Sequence, residues 1–192
     1  MTRQPHPAAS GAWLTRYYFL RAAVAAVWVA MAFLFGKDMP ALAAMLLVAY
    51  PAWDAAANFT DARHSGGLAR NPSQAFNVVV SILTAIAVAV ALGRDQAQTM
   101  SGVFVVFGVW AGIAGTLQLA TAVRRWRVAG AQWAMILSGA QSALAGTFFV
   151  QRAFGTAPLN ITGIAPYAAF GAFYFLLSAI LLAVSVRRRA ST

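Results

Sequence analysis

Ala75-Phe-Asn-Val-Val-Val-Ser-Ile-Leu-Thr-Ala-Ile-Ala-Val-Ala-Val-Ala-Leu-Gly93 contains no charged residue. A helix needs about 20 apolar residues to cross the hydrocarbon core of a bilayer, and this stretch has that length. Five further stretches read the same way: Tyr17 to Gly36, Ala41 to Phe59, Met100 to Val123, Gln132 to Val150 and Pro166 to Val186. Six such spans consume about 120 residues, leaving short loops and two small tails. The pattern predicts an all-α integral membrane protein, with six transmembrane helices in a compact bundle and residues 1–192 forming a single transmembrane domain.

Composition points the same way. The chain is 61% hydrophobic and only 9% charged, against about 25% charged in soluble domains. It has no cysteine, which excludes a disulfide scaffold, Cys-ligated zinc and iron–sulfur chemistry, and two His cannot form a histidine cluster. The first span is too long for a signal-peptide core, and Lys37 and Asp38 precede the small residues Ala41 and Ala43, so an uncleaved helix is expected.

Lys and Arg resist translocation and collect in cytoplasmic loops. One side of the predicted topology carries Arg3, Arg16, Arg21, Arg63, Arg70, Arg124, Arg125, Arg127, Arg187, Arg188 and Arg189, and the other Lys37, Arg94 and Arg152. This bias puts both termini in the cytoplasm. Arg124, Arg125, Arg127, Arg187, Arg188 and Arg189 are read as contacts to anionic lipid headgroups, at about 1 kcal/mol each. They account for much of the formal +10 charge without nucleic acid. The predominance of Arg over Lys and the abundance of Ala hint at a bacterium with a GC-rich genome, and so at its inner membrane.

The chain also matches itself. A shift of 57 places Phe19 on Phe76, Tyr50 on Phe107, Trp53 on Trp110, Phe76 on Trp133, Ser81 on Ser138 and Arg70 on Arg127. A shift of 63 lays Phe107-Gly108-Val109-Trp110 on Phe170-Gly171-Ala172-Phe173. Three parallel helical-hairpin repeats follow, at approximately 17–62, 74–127 and 131–189. Pro51, Gly108 and Gly171 share one column, where proline removes a donor and glycine admits a neighbouring backbone.

Apolar contact alone gives helices no preference for one another over lipid, so packing seams and interhelical hydrogen bonds should hold the bundle. Gly108, Gly112 and Thr116 recur every four residues, as do Ala134, Ser138, Ser142 and Gly146, and Ala22, Ala26 and Ala30. These seams fit packing within one chain first and a homo-oligomer second. Asn77, Thr84, Gln118 and Gln141 are expected to bond between helices, with a polar pathway as the alternative, and Tyr17, Tyr18, Trp126 and Tyr167 to sit at headgroup level. Ser65-Gly66-Gly67 and Asn71-Pro72-Ser73 predict a turn followed by a helix start.

An acid near the centre of a membrane helix costs about 2.5 to 3.5 kcal/mol, so Asp54 calls for a partner or a function. Asp54, Asn58 and Asp61 follow i, i+4, i+7 spacing and share a face. By 1.5 Å per residue, Asp54 lies about 9 Å inside the cytoplasmic boundary, and Arg21 reaches about the same depth. Arg21, Asp54 and Asn58 therefore form a candidate intramembrane polar site. Three readings stand beside one another: a structural Arg21–Asp54 ion pair, Arg21 snorkelling alone, and a site handling protons or solutes.

The segment from Gly108 to Arg127, followed by Gly130-Ala-Gln-Trp-Ala-Met-Ile-Leu-Ser-Gly-Ala140, resembles the central hairpin junction of the HdeD-like acid-resistance membrane proteins. Gly112, the basic turn Arg124 to Arg127, and Trp133 with Gly139 carry the resemblance. Hydropathy and repeat layout extend it over most of the chain; Pro51 and Asp54 depart from it in the second helix. The resemblance implies a six-helix bacterial inner-membrane protein linked to acid-stress survival, without established enzymatic activity or cofactor.

Nothing in the residues themselves suggests chemistry on a substrate. The four acids, Asp38, Asp54, Asp61 and Asp95, form no evident catalytic dyad, and His6 and His64 lack metal-ligand spacing. No GxSxG, Walker A, HExxH or dinucleotide fingerprint occurs. The expected function is that of a non-enzymatic inner-membrane protein without cofactor or metal, interacting with anionic lipid. The alternative is a small proton-linked transporter using Arg21, Asp54 and Asn58.

Overall fold

A computed structural model describes residues 7–94, 96–125 and 133–190. Among them are six helices: α1 (Pro7–Phe35), α2 (Pro40–His64), α3 (Pro72–Leu92), α4 (Gln96–Arg125), α5 (Trp133–Ala153) and α6 (Ala165–Ala190). Short 3-10 turns occupy Leu68–Arg70 and Ile161–Gly163. The helix order agrees with the sequence, although α1 begins well before Tyr17 and α4 before Met100.

Among the described residues, five of the helices, α1, α2, α3, α4 and α6, are long and apolar enough to cross a membrane. The expected span from Gln132 to Val150 begins outside the described residues. On α3 the polarity is reversed relative to a soluble helix: Phe76, Val79, Ile82, Leu83, Ile86 and Val90 are exposed, whereas Ser81 and Thr84 are buried. Such an arrangement suits a helix whose outer face meets hydrocarbon.

Local sequence explains the helix ends. Pro40 and Pro72 open α2 and α3, where a missing N–H leaves no bond unmade. Gly66 and Gly67 adopt φ of 98° and 93° between them, a left-handed conformation costly for any residue with a Cβ. Asn71 then ties the turn together, its Nδ2 donating to the carbonyls of Ser65 and Gly67 at 2.9 Å each.

The chain divides into two compact units. The first joins residues 1–31 to residues 165–192, and so contains most of α1 together with α6. In it the rings of Tyr18 and Phe175 lie 6.1 Å apart. The second covers Ala32–Ile164 and holds α2 to α5. There α2 packs on α3, α3 on α4 and, most extensively, α4 on α5. Two of these pairings, α2–α3 and α4–α5, run across the boundaries of the expected hairpin units. The centre of this unit is filled by Leu47, Pro51, Val88, Val103, Phe104 and Phe107, all essentially inaccessible.

Glycine brings α4 and α5 into backbone contact. A Cβ at Gly108 would stand 2.8 Å from the Gly146 carbonyl oxygen, and one at Gly139 would stand 2.8 Å from the Leu119 nitrogen. One at Gly115 would collide with the Ala143 nitrogen. Ser142 adds a hydrogen bond, its hydroxyl donating to the Ala111 carbonyl at 3.0 Å. The seam thus includes the expected Gly108, Ser142 and Gly146, but it follows a spacing of seven, Gly108 to Gly115 and Gly139 to Gly146. Steps of four drift about 40° each around a helix, whereas a step of seven drifts only about 20°. Thr116 is accordingly exposed and Ser138 half-buried. Gly112 presents an open Cβ position and contributes its backbone, against which a Cβ on Gly146 would stand 2.6 Å away.

Candidate functional site

Asp54 lies on α2 one turn beyond Pro51 and faces α3. Its Oδ2 accepts from Ser81 Oγ at 2.9 Å and from Asn58 Nδ2 at 2.9 Å. The same Asn58 amide also donates to the Asp54 backbone carbonyl at 2.8 Å. Ser81 in turn accepts from Trp110 Nε1 at 3.2 Å. Trp110, Ser81, Asp54 and Asn58 thereby form one chain of hydrogen bonds across α4, α3 and α2.

The polarity of this chain is fixed by its ends. An indole nitrogen only donates, so Ser81 Oγ accepts from Trp110 and its own hydroxyl hydrogen goes to Asp54 Oδ2. The carboxylate end is the accessible one: Asp54 and Asn58 are partly exposed, while Trp110 is 6% and Ser81 1% accessible. The Trp110 ring is held edge-on by Tyr50 and Phe107, with centroids 5.9 and 5.7 Å away. Nearer the end of α2, Gln74 Nε2 donates to Asp61 Oδ2 at 3.3 Å. The i, i+4, i+7 face predicted for α2 is therefore the face turned toward α3.

Arg21 belongs to the other unit, so the expected Arg21–Asp54 pair would span the two. Within the first unit Arg21 has an aromatic setting. Its Nη1 donates to Tyr17 Oη at 3.3 Å, and its guanidinium carbon sits 4.1 Å from the centre of the Phe175 ring. Stacking of Trp13 on Tyr17 at 5.1 Å extends this cluster. A guanidinium over an aromatic face keeps favourable electrostatics where water is scarce.

The other expected residues fall in several places. Thr84 bonds to the Val80 carbonyl of its own helix at 2.8 Å, which replaces the expected bond to a neighbouring helix. Gly171 is half-buried in α6 of the first unit, unlike the buried Pro51 and Gly108 of its column. Arg187 and Arg188 are exposed at the end of α6, as headgroup contacts would be. The side chains of Arg124, Arg125 and Arg189 lie outside the described residues, as does Arg127 altogether.

Ser81 and Trp110 are the members of the chain that sequence reading did not assign to the site. Each was aligned in the repeat, yet only the fold shows that they meet Asp54. A single serine on an otherwise apolar stretch of α3 was the available signal. Among the described residues no group of three His, Cys, Asp or Glu side chains could hold a metal ion. No protein-family model, curated protein or solved structure matches the chain.

Proposed function

We propose that this chain is a non-enzymatic, multi-pass protein of the bacterial inner membrane, acting through its helices on lipid or on partner proteins in acid-stress physiology. The observation that carries the non-enzymatic part is the Trp110–Ser81–Asp54–Asn58 chain, in which a carboxylate is occupied in holding three helices together. The acid-stress part rests on the HdeD-like resemblance. Removal of the gene should lower survival in acid, and a plasmid copy carrying Asp54→Asn should restore it. An asparagine oxygen still accepts from Ser81 or Asn58, so the clamp survives loss of charge. Unchanged survival of the deletion strain would overturn the acid-stress reading.

A second reading, a small proton-linked transporter, is favoured by the position of Asp54 one turn beyond the helix-weakening Pro51. Reconstituted vesicles would then show pH-dependent flux that Asp54→Asn abolishes. Equal flux through both proteins would eliminate protonation of Asp54 as the driving step.

A further inference from the structure

We infer that the polar face of α2 lines an aqueous cleft open at one end only, entered past Asp61 and closed beyond Trp110. The inference rests on the membrane reading but on neither of the two activities. Asp61, Asn58 and Asp54 climb α2 from its C-terminal end and are all partly exposed, whereas Ser81 and Trp110 behind them are buried. Polar side chains at membrane depth that retain exposure require water or protein beside them, because hydrocarbon offers no hydrogen bonds.

Past Trp110 the same unit becomes dry. Leu47, Val88, Val103, Phe104 and Phe107 are each at most 1% accessible and carry no polar side-chain atom. Along α4 the block from Val103 to Trp110 is about 10 Å deep at 1.5 Å per residue. Phe149 seals its flank, edge-on to Phe104 at a centroid distance of 5.6 Å.

The connection after α5 closes the far end. Ile161 and Ile164 are buried to 1% and 0%. A Cβ on Gly163 would stand 2.8 Å from the Phe104 ring, and one on Gly36 would collide with the Ile161 side chain. Asn160 fixes the turn, its Oδ1 accepting from the Thr162 nitrogen at 3.0 Å and from the Thr162 hydroxyl at 2.6 Å. Water and small ions therefore reach Asp54 and leave it by the same mouth.

The absence of cysteine makes this directly testable, since any introduced thiol is the sole one in the protein. Asp61→Cys, Asn58→Cys, Val88→Cys and Val103→Cys are reconstituted in lipid vesicles and treated with a small, charged, membrane-impermeant methanethiosulfonate on each side in turn. Positions 61 and 58 should be modified from one side only, and positions 88 and 103 about 100-fold more slowly from either side, as buried groups that react through rare opening. Asp54→Cys, one turn deeper on the same face and also partly exposed, stands in for Asn58 if that variant does not elute as a folded species. Modification of position 88 or 103 from the side opposite to position 61, as fast as position 61 reacts from its own, would overturn the inference, as would protection of positions 58 and 54 from both sides. Failure of acid complementation would leave the labelling pattern unchanged, so the two tests fail separately.

Discussion

Trp110 donates its indole hydrogen to Ser81 across 3.2 Å, joining the middle of α4 to the middle of α3 inside an apolar interior. Ser81 passes the bond on to Asp54 on α2. Removal of the middle member should therefore take a bond from two groups at once. Ser81→Ala is expected to lower stability by about 1–3 kcal/mol, from two hydrogen bonds at about 0.5–1.5 kcal/mol each. Reversible unfolding in mixed detergent and SDS measures it. Trp110→Phe should cost less than Ser81→Ala, and the double variant less than the sum of the two, since both act on one bond.

Asp54 itself should tolerate loss of charge better than loss of its oxygens. Asp54→Asn is expected to stay within about 1 kcal/mol of the parent, and Asp54→Ala to lose about 1–3 kcal/mol. The same unfolding titration compares them. Equal losses would show that the carboxylate charge, not its acceptor role, holds α2 in place.

The α4–α5 seam makes an ordered prediction among glycines. Gly115→Ala, Gly139→Ala and Gly146→Ala each drive a methyl group into opposing backbone, which cannot swing aside as a side chain can. Overpacking of this kind costs about 1–3 kcal/mol. Gly112→Ala meets open space and should be neutral or slightly stabilising, because alanine is the better helix former. Thermal unfolding in detergent would rank the four, and a Gly112→Ala loss matching the others would refute the seam.

In the first unit, Arg21 over the Phe175 ring should resist conservative exchange. Phe175→Leu keeps apolar volume while removing the ring face, and a cation–π contact is worth about 0.5–2 kcal/mol. Arg21→Lys keeps the charge but loses the planar group that stacks. Both variants are expected to unfold earlier than the parent, and Phe175→Leu with no change would assign the contact no weight.

Gly67→Ala tests the turn between α2 and α3. Its φ of 93° is strained for alanine whatever space surrounds it, at about 1–2 kcal/mol. Proteolytic susceptibility of the 65–71 segment should rise in the variant.

Much of the scaffold was legible in residues alone, because uninterrupted apolar length has few meanings. The stretch from Ala75 to Gly93 could only be a helix suited to hydrocarbon, and α3 ends at Leu92. The left-handed turn at Gly66 and Gly67 was equally open to reading, since glycine pairs mark such turns. The seam was only partly legible: spacing of four identified Gly108 and Gly146 but led toward Thr116, away from Gly115, which the accumulated helical drift favours. For the polar site, periodicity on α2 put Asp54 and Asn58 together. It could not reveal Ser81 or Trp110, because contact between helices depends on rotation and depth that a single strand of letters does not encode.

The backbone contact between α4 and α5 has a consequence for how the chain can vary. Where Gly115, Gly139 and Gly146 meet opposing main chain, no facing side chain stands by whose shortening could make room. A lesion at any of the three therefore has no compensating exchange directly across from it, and suppressors should arise away from the contact.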